Sequence, residues 1–145
     1  VPLSFVHYDS PLYLESPSLV RAGATDNEIA LMHAVARIVL HGFIDNIQVS
    51  WTKLGTEKAR NLLSMGVNDL GGTLMNESIS RAAGSKNGQE ITETEMVEII
   101  RSASKIPIKR DTLYRKLKTY DSEVSGIGHE PLVSRNGSNP LSFLN

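Results

Sequence analysis

Apolar and polar residues follow one another in blocks whose spacing predicts helices joined to short strands. The clearest block begins at Thr25, where Thr25 and Glu28 have the spacing of a capping box that satisfies free N–H groups at a helix start. Apolar side chains then recur every three or four residues, which is typical of an amphipathic helix. They are Ile29, Met32, Val35, Ala36 and Val39. Gly42 is predicted to end this helix.

Three short segments have the composition of β-strands. Residues 3–6 are predicted to form a short buried strand and residues 67–70 a brief strand, whereas residues 46–51 alternate, with Gln48 and Ser50 on the face opposite Ile47 and Trp51. Helices are predicted over residues 56–65 and 74–83. A second capping-box spacing, at Thr92, predicts another helix.

Two segments have weaker patterns. Residues 7–24 are predicted to be a long packed loop, a kind of segment that is usually functional or disordered. Residues 106–113 have an extended pattern, but Pro107 cannot donate to a ladder, so the segment is predicted to be an edge strand or no strand. From about residue 119 the chain is weakly patterned, and an ordered extension or a frayed end is expected.

This order of elements predicts an α/β protein. Strands that alternate with helices favour right-handed parallel βαβ units, here about three of them followed by an extra C-terminal helix. Two architectures fit: a small α/β layer, or an incomplete (β/α)8 barrel whose sheet edges are open. The barrel makes a specific prediction, because residues at the carboxyl ends of its strands form the site.

Composition and charge narrow the range of functions. The 145 residues carry a net charge of −1, which gives no electrostatic footprint for nucleic acid or an anionic membrane. No apolar run is long enough to cross a bilayer, and no secretory signal is visible in the sequence, so a cytoplasmic location is expected. The chain has no cysteine and therefore no thiolate ligand for a metal cluster. It begins without Met, which suggests a cut or processed piece.

The sharpest local motif runs from Asp69 through Gly71, Gly72 and Thr73 into the next helix. Glycines after a strand let the backbone approach a ligand, and a helix start attracts an anion. The alternative is a tight turn that needs permissive backbone angles. Glu77 follows on that helix. Its side chain is predicted either to reach the site or to form a surface ion pair with Arg81, four residues later.

Other candidates stand at strand ends. His7 follows the first strand, and Trp51 and Lys53 follow the second; packing and solvation are their ordinary roles. The histidines do not have the spacing of a metal site. The residues alone thus predict a parallel α/β segment with candidate site residues after its strands.

Four stretches resemble the FO synthase family, and more closely its tyrosine-using CofH-like subunit. They are NIQVSWTKLG (46–55), GVNDLGGTLMNESISRAAG (66–84), EIALMHAVARIVLH (28–41) and RDTLY (110–114). The resemblance covers residues 1–114, which would be the C-terminal part of a radical-SAM barrel. Residues 115–145 would be a C-terminal extension.

The resemblance implies a transferase of deazaflavin coenzyme biosynthesis. The family adds the 4-hydroxybenzyl part of tyrosine to 5-amino-6-(D-ribitylamino)uracil. A 4Fe-4S cluster splits S-adenosylmethionine to give a 5′-deoxyadenosyl radical, which abstracts a hydrogen atom from tyrosine. Because the cluster cysteines are missing, this chain is expected to be inactive alone and to bind neither cofactor. It would contribute substrate-binding residues. They are His7, Gln48, Ser50, Trp51, Asp69, Gly71, Gly72, Thr73 and Glu77.

The partner implied is the N-terminal part of the barrel. Without it, the open edges and one uncovered sheet face are expected to cause self-association. Two other functions remain open: a fragment of a menaquinone-route enzyme acting on futalosine-type substrates, and a non-catalytic half-barrel binding or assembly module.

Overall fold

The structure, a computed structural model, describes residues 1–73, 78–87 and 90–120. Helices and two short strands form a small α/β unit. In chain order the elements are α1 (Pro11–Glu15), α2 (Asp26–Val39), α3 (Trp51–Leu54), α4 (Thr56–Leu62), α5 (Ile79–Ala82), α6 (Glu93–Ser102), β1 (Ile108–Arg110) and β2 (Lys116–Thr119).

Both predicted capping boxes are confirmed. At the start of α2 the Thr25 side chain accepts from the backbone N–H of Glu28, and the Glu28 carboxylate accepts from the N–H of Thr25. Thr92 and Glu95 do the same for α6. Helix α2 ends at Val39, before the predicted stop at Gly42, and buries Ile29 against the core.

The second and third predicted strands lie side by side and parallel. Gln48 and Asp69 form an isolated parallel bridge. The N–H of Val49 donates to the Asp69 carbonyl at 3.0 Å, and the N–H of Asn68 donates to the Ile47 carbonyl at 3.2 Å. Apolar side chains from these segments form the core together with others from the helices. The buried members are Ile29, Ile47, Val49, Trp51, Ala59, Leu62, Leu63, Val67, Leu70 and Ile91.

Two strand predictions are wrong. Residues 3–6 form no β-strand, and Leu3 and Phe5 are exposed, because no neighbouring strand takes their backbone hydrogen bonds in the described part of the chain. Trp51 does not end a strand: it is the first residue of α3, since the Ser50 carbonyl accepts from the N–H of Leu54 at 3.1 Å and turns the chain into a helix.

Helix α1 and strand β2 were not predicted, whereas β1 lies within residues 106–113, for which an edge strand was one of the two alternatives. Helix α1 lies inside the supposed loop 7–24, with Pro11 at its first position, where a missing N–H costs nothing. Strands β1 and β2 pair antiparallel as a hairpin, which is the two-stranded sheet of the structure. Pro107 lies just before β1 and contributes only its carbonyl, to the N–H of Tyr120. The hairpin spans the predicted boundary between residues 114 and 115.

The Glu28 carboxylate of the α2 capping box makes the free energy of unfolding depend on pH. A hydrogen bond from Arg21, then those from the N–H and hydroxyl of Thr25, lower the pKa of Glu28 from 4.5 to about 2. Glu28 therefore stabilises the fold above pH 4.5, and the contribution is lost as pH falls towards 2. We expect Glu28→Gln to be less stable at neutral pH and to lose less stability on acidification in this window.

Urea unfolding at a series of pH values measures this. Glu98→Gln, a change at an exposed carboxylate on α6, is the control and should keep the original pH dependence. If Glu28→Gln also keeps the original pH dependence, the hydrogen bonds to the Glu28 carboxylate do not cause the pH dependence of stability.

Candidate functional site

The parallel bridge brings together the polar residues at the ends of two strand segments. We call the residues Gln48, Trp51, Asp69, Gly71 and Gly72 the strand-end cluster. The cluster is held by backbone pairing of Gln48 with Asp69 and by a hydrogen bond from the Trp51 indole Nε1 to the Gly72 carbonyl at 3.2 Å. Parallel pairing thus brings the ends of these two segments together, and the role of their residues in a site stays a prediction.

Gly71 occupies a position whose backbone favours glycine. Its φ of +78° is in the left-handed region, and a Cβ there would lie 2.5 Å from Nε2 of Gln48. The Gly71 N–H donates to Oδ1 of Asp69 at 2.8 Å. Gly72 differs, because a Cβ at Gly72 would meet no atom of the described residues within 4 Å. The left-handed backbone explains the first glycine, and no atom of the described residues lies against the second.

Asp69 is held on both sides. Its Oδ1 accepts from the Gly71 N–H, and its Oδ2 accepts from Nη2 of Arg110 at 2.6 Å, in an ion pair whose side chains are 7% and 27% exposed. The Arg110 guanidinium also lies over the Tyr114 ring, 4.1 Å from its centroid. The carboxylate thereby joins the glycine turn to the C-terminal hairpin.

Arg110 was not among the predicted site residues. It lies 41 positions after Asp69, and nothing in the local pattern connects the two. The available signal was its place in the last stretch that resembles the family, residues 110–114.

The remaining predicted site residues make local contacts or lie outside the described chain. His7 Nδ1 accepts from the Gly23 N–H at 3.1 Å, and its ring stacks on Tyr8 at 4.4 Å. The Ser50 hydroxyl is 2.9 Å from that of Thr52. Thr73 is exposed, and Glu77 lies outside the described residues. The contacts of His7 and Ser50 organise their own segments.

A cavity of about 490 Å³ opens where the N-terminal segment, α3 and α5 come together. Residues 3–6 and 9–11 form one wall, α3 contributes Lys53, and α5 contributes Ser80. The Lys53 ammonium donates to the Ser80 hydroxyl at 2.7 Å, and Ser80 is only 1% exposed. We call this space the Lys53 cavity. Such concave, mostly apolar sites with few polar groups are typical of small-molecule binding.

A second, larger groove of about 750 Å³ lies between the N-terminal segment and α2. Its lining is mainly apolar and includes Leu3, Phe5 and Met32. Helix α2 exposes apolar side chains of a kind that a surface helix usually buries. Leu31 and Val35 line the groove, and Ile38 and Val39 lie outside its lining.

The residues present do not fit an iron–sulfur cluster. The chain contains no cysteine, and within the described residues no three His, Asp or Glu side chains are grouped to hold a metal ion. No helix in residues 1–73, 78–87 and 90–120 is both long and apolar enough to cross a membrane.

Comparison with known families identifies the group to which these features belong. Residues 1–123 match the model described as the CofH/MqnC C-terminal region. The chain belongs to this family. The match confirms the resemblance seen in the sequence and includes the strand-end cluster, the Lys53 cavity and the hairpin.

Relatives of this CofH/MqnC chain carry two names. It is 48% identical over 120 residues to the 5-amino-6-(D-ribitylamino)uracil–L-tyrosine 4-hydroxyphenyl transferase of Methanopyrus kandleri, covering 83% of this chain and 32% of that protein. It is 48% identical over 114 residues to the FO synthase of Mycobacterium leprae, covering 79% of this chain and 13% of that protein. The transferase of Methanococcoides burtonii is 45% identical over 121 residues, covering 81% of this chain and 33% of that protein. The chain thus spans at most about a third of these relatives.

Proposed function

We propose that this chain is the C-terminal part of an FO synthase-type transferase that joins the 4-hydroxybenzyl part of tyrosine to 5-amino-6-(D-ribitylamino)uracil. The observation that carries the proposal is the identity with the Methanopyrus kandleri transferase, whose name gives both substrates. The chain would form part of the substrate-binding wall. It would be inactive alone, because it has no cysteine to hold the cluster at which the radical is formed.

The remainder of the enzyme is the proposed partner. In this view the parallel pair at Gln48 and Asp69 is part of a (β/α)8 barrel, and the apolar groove and exposed face of α2 pack against the N-terminal part of that barrel. The 4Fe-4S cluster and S-adenosylmethionine would be bound by that part. Packing of the α2 face against the remainder of the enzyme would also explain why so many apolar side chains of one helix are exposed.

The predicted substrate residues have different roles in this proposal. Asp69 shapes the turn, because its two oxygens already accept from Gly71 and Arg110. The open side of Gly72 admits a substrate group next to the backbone. Gln48 offers an amide for the polar uracil. The remaining candidates keep their proposed place at the substrate wall: His7, Ser50, Trp51, Thr73 and Glu77.

A substrate comparison tests the activity. The complete enzyme, supplied with its cofactors, is given either tyrosine with 5-amino-6-(D-ribitylamino)uracil or a futalosine-type substrate, since the family description joins CofH and MqnC. We expect consumption of the first pair only. Turnover of the futalosine-type compound alone would assign the menaquinone-route activity. Turnover of neither would favour a binding or assembly module.

A further inference from the structure

The Lys53 ammonium faces the Lys53 cavity and does not use all of its hydrogen-bond donors. An ammonium has three donors, and the one hydrogen bond of this ammonium to the described residues goes to the Ser80 hydroxyl at 2.7 Å. Ser80 is buried and sits on α5, so it fixes where the ammonium stands. Two N–H donors therefore remain for an anion that enters the cavity.

Asp9 supplies the opposite charge on the other wall. Its backbone N–H donates to the Ala83 carbonyl at 3.0 Å, which fixes the segment against the end of α5. The carboxylate lies so close to Gly84 that a Cβ there would be 2.5 Å from Oδ2. Within residues 1–73, 78–87 and 90–120 this carboxylate accepts no side-chain or backbone hydrogen bond. It is available to a cationic group in the cavity.

The rest of the cavity is mainly apolar, with Ser4 and Ser10 as its other polar residues, and it is large enough for an aromatic amino acid. Leu3, Phe5 and Ile79 line it, and its volume of about 490 Å³ lies within the range of small-molecule sites, about 300–1,000 Å³. A cation and an anion at the edge of an apolar cavity are complementary to a zwitterion that carries an apolar side chain. Each charged group of the ligand would form a charge-assisted hydrogen bond, which is stronger than a bond between neutral groups.

We propose that the Lys53 cavity binds the zwitterionic end of an amino-acid substrate, with the Lys53 ammonium on its carboxylate and the Asp9 carboxylate on its ammonium. The amino acid is tyrosine, an identification that rests on the proposed function. This assigns binding roles to two residues outside the strand-end cluster, and it leaves that cluster to the uracil substrate.

Substrate analogues test each contact separately. The complete enzyme is titrated by calorimetry with L-tyrosine, with tyramine, which lacks the carboxylate, and with 3-(4-hydroxyphenyl)propanoate, which lacks the ammonium. Lys53→Met should weaken L-tyrosine binding about 10- to 100-fold, as expected for a lost hydrogen bond to a charged group, and should leave tyramine binding unchanged. Asp9→Asn should weaken L-tyrosine and tyramine and spare the propanoate.

Controls separate binding from folding. Lys58→Met and Asp26→Asn remove an exposed pair of the same residue types and should leave all three affinities unchanged. Lys53→Arg should restore part of the L-tyrosine affinity because it keeps the charge. Equal weakening of L-tyrosine and tyramine by Lys53→Met would overturn the proposal, as would no weakening of either.

The two proposals fail in different ways. If the enzyme forms the tyrosine–uracil product and Lys53→Met leaves the KM for tyrosine unchanged, the cavity assignment is wrong and the transferase stands. If analogue selectivity follows Lys53 and Asp9 but no product forms, the amino-acid site stands and the transferase is wrong.

Discussion

Replacement of Arg110 by Met is expected to lower the free energy of unfolding by about 3 kcal/mol, because it leaves the buried Asp69 carboxylate without its charged partner. Asp69 is 7% exposed in this pair, so water replaces little of what is lost. The Tyr114 ring also loses the guanidinium that lies over it. Urea unfolding of the protein at neutral pH measures the change.

The same hairpin provides a matched control. Arg115 pairs with Asp111 at 2.6 Å, but the Arg115 side chain is 74% exposed. Arg115→Met should therefore cost less than about 1 kcal/mol, as exposed ion pairs do. Equal losses for the two variants would mean that burial of Asp69 does not set the strength of its pair.

Gly71→Ala is expected to lower kcat/KM of the complete enzyme at least about tenfold, since a shift of this size corresponds to about 1.4 kcal/mol. The left-handed backbone costs a non-glycine residue about 1–2 kcal/mol, and the new Cβ would push against the Gln48 amide. Both effects displace the turn that Asp69 holds. Steady-state kinetics with each substrate varied in turn measures the loss.

Gly72→Ala is the neighbouring control. Within the part of the chain that the structure describes, a Cβ at Gly72 meets no atom within 4 Å, so the fold should tolerate it. A small rise in the KM for the uracil substrate alone would fit an open face that this substrate approaches. If Gly72→Ala inactivates as strongly as Gly71→Ala, the left-handed backbone at Gly71 is not what distinguishes the two positions.

Local patterns predicted local structure well. The capping boxes at Thr25 and Thr92 use contacts three residues apart, so the sequence contains all that they need. The parallel pair at Gln48 and Asp69 was also predictable, because strands joined through a helix favour that arrangement.

Elements that depend on distant or unusual contacts were missed. Trp51 favours a strand by type, yet the chain turns into α3 at Ser50. The turn between β1 and β2 is built by Asp111, whose Oδ1 accepts from the N–H groups of Leu113 and Arg115, with Tyr114 at a φ of 62° instead of a glycine. A search of the sequence for turns that contain glycine does not detect this turn.

The candidate site divides in the same way. The glycine turn was visible as a motif, whereas the Arg110 pair that holds it depends on how the hairpin folds back over 41 positions. The Lys53 cavity likewise depends on three segments that are far apart in sequence. Residue types suggested each candidate, but only the folded chain determines which of them face one ligand.

The central claim is that this chain forms part of the site in which the ring of tyrosine is joined to the uracil. The most direct test supplies the complete enzyme with ring-labelled L-tyrosine and 5-amino-6-(D-ribitylamino)uracil and follows the label by mass spectrometry. We expect one product that contains both the labelled 4-hydroxybenzyl group and the uracil, and a much lower yield with Gly71→Ala than with Gly72→Ala. A uracil that never acquires the label would contradict it.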